Sequence, residues 1–480
     1  VASSTSDNGT LTLAEAVRRL RAGEMTSESL VRDCLGAIAR HEPEIKACVT
    51  VLGEDALEQA RAADAALATK RDGRSLLGIP LGIKDLFMTK GIRTTASSGV
   101  LEDWVPDEDA TAVSRVAQAG AIVLCKTNTH EFAYGTVTPP TRNPWNTEHV
   151  PGGSSGGSAA GVAAGEFLGA LGSDTGGSVR IPAAACGVTG LKPTYGLVSK
   201  AGVIPLSWSL DHVGPIARSV EDCALLLDVL AGYDRADPDS VDVPLIQFPA
   251  ALARGRSPEE AVRGMHIGVP ASYFFRHCDA EVEHQVRAAI AQLAALGAEI
   301  IDVRIPAEID DMFAVYRAVQ KPEAYVYHSD MGWLASRADR YRPQTLEMVQ
   351  SGANYSAADY VRAQRSRRNF TEAMRGVLAQ VDALVTPTLP VPARRVDEVD
   401  TPILYEGKEE PAGHALRYTF PFDLTGQPAL TVPCGFSSAG LPVGMQLIAG
   451  HFSEATLLRL GHAYQRVTDW HLRRPPLPSA

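Results

Sequence analysis

The sequence predicts an α/β protein, with a mixed, mostly parallel central sheet covered by helices on both faces. Two observations carry this. From residue 78 onward, short apolar runs alternate with segments of helical period, the pattern of strand and crossover helix. Those runs are also nearly continuous in apolar residues, as strands buried on both faces are.

The elements follow in order. Thr12, with Glu15 three residues on, precedes LAEAVRRL, the arrangement of a capping box at a helix start. Helical spacing recurs at 26–40 and 54–69, so residues 1–70 read as a helical segment packed on a body spanning 71–480. Strands are expected within 78–87, 121–128, 168–175, 187–194 and 212–218, then within 266–271, 299–306, 383–390, 429–436 and 442–450. Helices are expected between many of them, at 109–119, 219–231, 279–296, 356–380 and 453–467. The polar stretch 391–415 reads as a surface loop, with a lid as the alternative, and the tail RRPPLPSA reads as extended. Length alone suggests about three domains.

Composition excludes several classes. The chain of 480 residues carries a net charge of −11 with no basic block, which argues against a nucleic-acid or anionic-membrane surface. Seven cysteines are scattered without a C-x-x-C pair, so reduced, buried thiols are expected and neither a disulfide frame nor a zinc site. No apolar run reaches the length of a membrane span. The polar opening VASSTSDNGT lacks the apolar core of a signal peptide, so a cytoplasmic protein is expected.

Two serine–glycine turns carry the chemistry. The first is 151-PGGSSGGSAAG-161 and the second is 172-GSDTGGSVR-180. Glycines let backbone N–H groups approach a ligand, and the helix opening after the first turn adds partial positive charge. Neither a P-loop nor a dinucleotide fingerprint is present, so phosphate binding is not indicated. The segment 152-GGSSG-156 matches G-x-S-x-G; on that reading Ser154 is an α/β-hydrolase nucleophile, with His451 or His462 as base and Asp382 as its partner. That reading leaves the second turn unexplained. A third reading adds Lys84, at the end of the apolar run 78-GIPLGIKD-85. Desolvation there lowers an amine pKa toward neutrality and makes the lysine a usable base.

The segments GIPLGIKDLF, AGAIVLCKTNTHEFAYG, NPWNTEHVPGGSSGGSAAGVAAG, GALGSDTGGSVRIPAAACGVTGLKPTYGLVS and TGQPALTVPCGFSSAGLPVGMQLIAG resemble the amidase signature enzymes. The resemblance implies a single large domain around a mixed sheet of about eleven strands. It implies a Ser-Ser-Lys triad, with Ser178 as nucleophile, Ser154 as relay after a cis peptide bond, and Lys84 as general base. The N–H groups of Thr175, Gly176, Gly177 and Ser178 would face the oxyanion. Asp174 and Arg180 read as scaffold for the loop, and Ser155 as a hydrogen-bonding residue at the helix start. No metal or organic cofactor is implied.

The segment 131-EFAYGT-136 resembles the family's pocket lining and puts Phe132 and Tyr134 near substrate. Trp208 and the aromatics Phe313, Tyr316, Tyr325, Tyr327 and Trp333 are further lining candidates, with core packing as the competing role. The resemblance implies hydrolysis of a small linear amide, with esters and carbamates as further substrates, by a monomer or homodimer. The alternative it leaves open is the amidase component of a tRNA-dependent amidotransferase, which releases ammonia from glutamine beside a tRNA-binding partner.

Overall fold

Ten of the eleven strands of the central sheet fall on the apolar runs singled out above. The computed structural model describes residues 11–69, 72–244, 246–252, 257–270, 272–401, 403–405, 408–410 and 415–477. The opening decapeptide, part of the 391–415 stretch and the last three residues of the tail lie outside these. Within 391–415, a two-stranded ribbon of β10 (Ile403–Tyr405) and β11 (Lys408–Glu410) is described.

The central sheet is built from β1 (Cys48–Val51), β2 (Pro80–Lys84), β3 (Ile122–Thr127), β4 (Gly169–Asp174), β5 (Thr189–Lys192) and β6 (His212–Ala217). It continues with β7 (His266–Val269), β8 (Glu299–Asp302), β9 (Ala383–Pro387), β12 (Ala429–Phe436) and β13 (Pro442–Ile448). Their spatial order is β1-β3-β2-β4-β6-β5-β12-β13-β9-β7-β8. The sheet is mixed, but its parallel share is smaller than expected: four neighbouring pairs are parallel and six antiparallel. Strand–helix alternation implies parallel pairing only where a helix carries the chain across the sheet. β12 and β13 are instead joined by a tight turn at 437–441, and β5 reaches β6 through a loop without a crossover helix.

β1 is not among the expected strands. It is four residues long and sits between two helices, α2 (Ser27–Ile45) and α3 (Gly53–Ala68), too short for a periodic signal. The helices Met312–Asp330 and Pro343–Gln350 are also additions to the expected set; the first carries Pro322 in its interior, which breaks the local pattern. The helix start at residue 12 is present: Glu15 donates its N–H to Thr12 Oγ1 at 3.1 Å, opening α1 (Leu13–Ala22). The N-terminal helices are tied to the sheet layer. Ala14 N–H donates to Asp222 Oδ1 at 2.8 Å, and Ser27 Oγ donates to the Gly78 carbonyl at 2.8 Å.

Length suggests several domains, yet one apolar cluster runs from Leu11 to Tyr464 around one large sheet. Among the described residues, no helix is long and apolar enough to cross a membrane.

The topology places the two serine turns and the lysine at one edge. β2 is parallel to both β3 and β4, so the carboxyl ends of all three emerge together. Lys84 is the last residue of β2, and the 175–178 turn follows the last residue of β4. Helix α5 (Gly156–Ala164) begins just after Ser154 and Ser155 and is buried along its whole length. Its small residues permit that depth: a Cβ at Gly157 would collide with the Ala47 carbonyl oxygen.

Candidate active site

Lys84 is fully buried at the end of β2. Its Nζ lies 2.7 Å from Ser154 Oγ, 2.9 Å from Ser155 Oγ and 2.9 Å from Ser173 Oγ. Burial lowers its pKa from 10.5 to about 7, against the opposing pull of the Asp174 and Asp211 carboxylates. The amine therefore exchanges its proton near neutral pH.

Hydrogen counting constrains the cluster. A neutral amine has two hydrogens and one lone pair, yet three hydroxyls surround it. Ser155 Oγ donates to the Ser173 carbonyl at 3.2 Å, so its hydrogen is committed. The amine lone pair is left to accept from Ser154 or Ser173, and Ser154 is the closer. Ser155 is expected as a helix-start residue, but its hydroxyl makes no capping bond to α5; it serves Lys84 and β4. Ser173 is not among the candidates drawn from the sequence, although it lies inside the second motif, one residue before Asp174.

A cis peptide joins Gly153 to Ser154. The Gly153 backbone runs against Val137, where a Cβ would fall 2.6 Å from the Val137 carbonyl oxygen. Ser154's own carbonyl accepts from His130 N–H at 3.1 Å. The second turn packs directly on the first, since Ser155 N–H donates to the Ser178 carbonyl at 3.1 Å. Ser178 is nearly buried and lines a cleft of about 590 Å³. Of the expected proton chain, the hydrogen bond from Lys84 to Ser154 is present, whereas the described hydrogen bonds include none between the Ser154 and Ser178 hydroxyls. Such contacts often tighten only around substrate.

Asp174 organises the nucleophile turn. Its fully buried carboxylate accepts from Gly177 N–H at 2.5 Å, Val179 N–H at 3.1 Å and the Arg180 side chain at 3.0 Å. Burial alone would raise this carboxyl; Arg180 more than offsets that and holds it well below the usual carboxylate range. Arg180 is also fully buried and bridges to Asp423 at 2.5 Å and to Gln446 Oε1 at 2.7 Å. The four N–H groups expected at the oxyanion thus divide. That of Gly177 is taken by Asp174, while those of Thr175, Gly176 and Ser178 donate to no described group. Gly177 has φ +136, and a Cβ there would overlap Thr419 Oγ1, so the turn needs glycine.

The expected lining residues separate. Tyr134 lines the cleft beside Ser178, with its hydroxyl 3.3 Å from the Met348 carbonyl. Phe132, expected near substrate, is corrected to a core residue: it is 1% exposed and stacks on Trp333 at 5.4 Å, with His328 edge-on at 4.5 Å. Its φ of 50 lies in the left-handed region, and it is not among the residues lining the cleft. Trp208, also expected at substrate, is 40% exposed and borders an adjoining cavity of about 190 Å³ with Lys200 and Asp211, which shares Ala133 and Leu206 with the cleft. The cleft walls include Phe313 and Tyr316, both among the lining candidates read from the sequence, together with Arg317 and Leu416. Of the other aromatic candidates, Tyr327 and Trp333 pack around Phe132 and His328. The α/β-hydrolase partners of Ser154 do not assemble. His451 Nε2 pairs with the Thr425 carbonyl at 2.8 Å, and Asp382 accepts the His266 N–H at 2.8 Å.

Fold and site define a hydrolase of C–N bonds built on a lysine–serine cluster. The chain belongs to the amidase family, whose model matches residues 29–458. It is 44% identical to a glutamyl-tRNA(Gln) amidotransferase subunit of Roseiflexus sp., over 98% of each chain. It is 43% identical to an amidase of Pseudomonas putida, again over 98% of each. Several further relatives at 39–42% identity carry the amidotransferase name. Among solved structures, the corresponding glutamyl-tRNA(Gln) amidotransferase subunit of Thermotoga maritima superposes with a TM-score of 0.81 at 34% identity, covering 99% of both chains.

Proposed function

We propose that this chain hydrolyses a carboxamide through an acyl-enzyme on Ser178, with Lys84 as base and Ser154 as relay. The observation that carries the proposal is the buried Lys84 amine, with a pKa of about 7, held 2.7 Å from Ser154 Oγ. Neutral Lys84 takes the Ser154 hydroxyl proton as Ser154 takes that of Ser178, and Ser178 Oγ attacks the carbonyl carbon. The uncommitted N–H groups of Thr175, Gly176 and Ser178 receive the oxyanion; each such donor contributes about 3–4 kcal/mol to the transition state. The proton returns through Ser154 to the departing nitrogen, and water then releases the acid.

The relatives' names favour glutamine as the amide and a tRNA-charging complex as the setting. On this reading the chain is the component that frees ammonia, and the expectation of no nucleic-acid partner gives way to tRNA held by an associated protein. The cleft is consistent with an amino-acid substrate, because Arg317, Lys321, Glu347 and Asp400 at its walls supply both signs of charge. A second reading, a free-standing hydrolase of linear amides and related esters or carbamates, is favoured by the apolar wall of Phe313, Tyr316 and Leu416 beside the nucleophile turn and by the Pseudomonas putida relative.

One experiment separates them. The isolated chain is assayed on glutamine, p-nitroacetanilide, an aryl ester and an aryl carbamate. Turnover confined to glutamine, and rising with partner proteins, supports the amidotransferase reading. Turnover of anilide without partners supports the free hydrolase. No acyl adduct on Ser178 with any of them overturns both.

A further inference from the structure

A second cluster of reactive side chains lies at the far end of α5 from the serines. Glu42 is in the last turn of α2, Cys48 is the first residue of β1, and Glu166 directly follows Gly165, the C-cap of α5. One donor atom from each falls within 4.8 Å of the other two. Glu166 is fully buried, and neither of its oxygens accepts a hydrogen bond from any described donor. What faces it is the carboxyl group of Glu42. Two carboxylates make a stable contact only with a proton or a cation between them.

Three features favour a cation. Glu42 Oε1 is already used, accepting from Ala47 N–H at 2.6 Å and Cys48 N–H at 3.1 Å, which fixes the carboxylate and leaves Oε2 for a ligand. The C-terminal end of α5 presents partial negative charge beside Glu166. The third donor is a thiol, that of Cys48, which also contacts Cys125 of β3.

We propose that Glu42, Cys48 and Glu166 bind a zinc-class divalent cation, with water in the fourth position. Mixed thiolate and carboxylate donors suit a borderline ion of this kind and not calcium or magnesium. Zinc–ligand bonds of about 2.0–2.3 Å put tetrahedral donors about 3.5 Å apart, so modest side-chain rotation closes the site. Glu42 and Cys48 are only partly buried, which leaves a path of entry. The ion would clasp α2 and β1 to the segment between α5 and β4. Ligation needs ionised carboxylates and a thiolate, so affinity falls as pH falls.

The test uses the full chain, stripped with a chelator and then titrated with Zn²⁺ by calorimetry and with Co²⁺ by absorption. The expected result is one ion per chain, a thiolate–cobalt charge-transfer band, and a thermal midpoint that rises with Zn²⁺. Glu166→Gln should weaken binding at least about tenfold, and Cys48→Ser should remove the band. If Glu166→Gln does not fold, Glu42→Gln, at a partly exposed position, replaces it. No binding by the unsubstituted chain overturns the proposal and leaves a proton-sharing carboxyl pair. Equal binding by the variants overturns it as well.

Discussion

Replacing Lys84 by methionine keeps most of the side-chain volume and removes the amine. The folded chain lowers the lysine from 10.5 to about 7, so protonating it in place costs about 5 kcal/mol more than in the unfolded chain. Two consequences follow. If the neutral amine is the base, kcat/KM of the unsubstituted chain rises about tenfold per pH unit up to about 7 and then levels, so about 1% of the plateau remains at pH 5. The Lys84→Met variant should lose about 10²–10⁴-fold at the plateau and should lose that acid limb.

The second consequence concerns stability. Between about pH 7 and 10.5 the unfolded chain binds a proton at this lysine that the folded chain does not, so stability rises with pH across that window and is flat below it. Lys126 and Lys192 are likewise lowered by burial, to about 8 and about 7, and contribute slopes of the same sign. The difference between the original chain and Lys84→Met isolates the one group. Urea unfolding from pH 6 to 10 should show the two stability curves separating by about 1.4 kcal/mol per pH unit above neutrality. Parallel curves, or a variant that keeps the acid limb, would refute the reasoning.

Ser178→Ala should abolish turnover and labelling by a fluorophosphonate, read as a mass shift on the peptide carrying residue 178; labelling that persists there but disappears in Ser154→Ala would move the nucleophile to 154. Arg180→Met leaves the Asp174 and Asp423 carboxylates buried without their shared cation and should cost about 3–5 kcal/mol in chemical denaturation, with the acid limb of activity moving to lower pH as Asp174 takes up a proton and its pull on Lys84 is lost; a loss under about 1 kcal/mol would mean that water replaces the guanidinium. Phe132→Ala should cost about 3–5 kcal/mol of stability while leaving KM unchanged, because the ring packs on Trp333 and His328; a KM shift without loss of stability would return Phe132 to the substrate.

Legibility followed locality. Lys84, Ser154 and Ser178 sit in short motifs whose residues act within a few positions of one another, and the strands that bring them together are apolar runs visible in the sequence. The cleft is different. Phe313 and Tyr316 are legible only as aromatics that could line or pack, while Arg317 and Leu416 lie more than a hundred residues beyond the nucleophile, in segments that carry no turn or motif signal. Only the packing of the helix Met312–Asp330 and of the chain before β12 brings them to Ser178. Phe132 misleads for a backbone reason. Its neighbourhood is at the site, but the ring packs on Trp333 and His328 from a left-handed backbone at residues 132 and 133, and no residue type there announces such a φ. Ser173 is legible in principle: it precedes Asp174 on β4, and strand alternation separates the side-chain directions of the two.

The lysine and the aspartate beside this turn depend on each other through groups from the far end of the chain. A buried amine stays near pKa 7 only if no carboxylate pairs with it, yet Asp174 lies one residue beyond Ser173, which touches Lys84. Asp174 is occupied instead by three backbone N–H groups and by Arg180. Arg180 is fixed by Asp423 before β12, by Gln446 on β13 and by the Thr419 carbonyl at 2.9 Å. Without the guanidinium, burial raises the Asp174 carboxyl, and a carboxyl that takes up a proton no longer pulls the Lys84 pKa upward. That is why one arginine substitution should move both the denaturation midpoint and the pH at which activity appears, although its side chain does not touch the lysine.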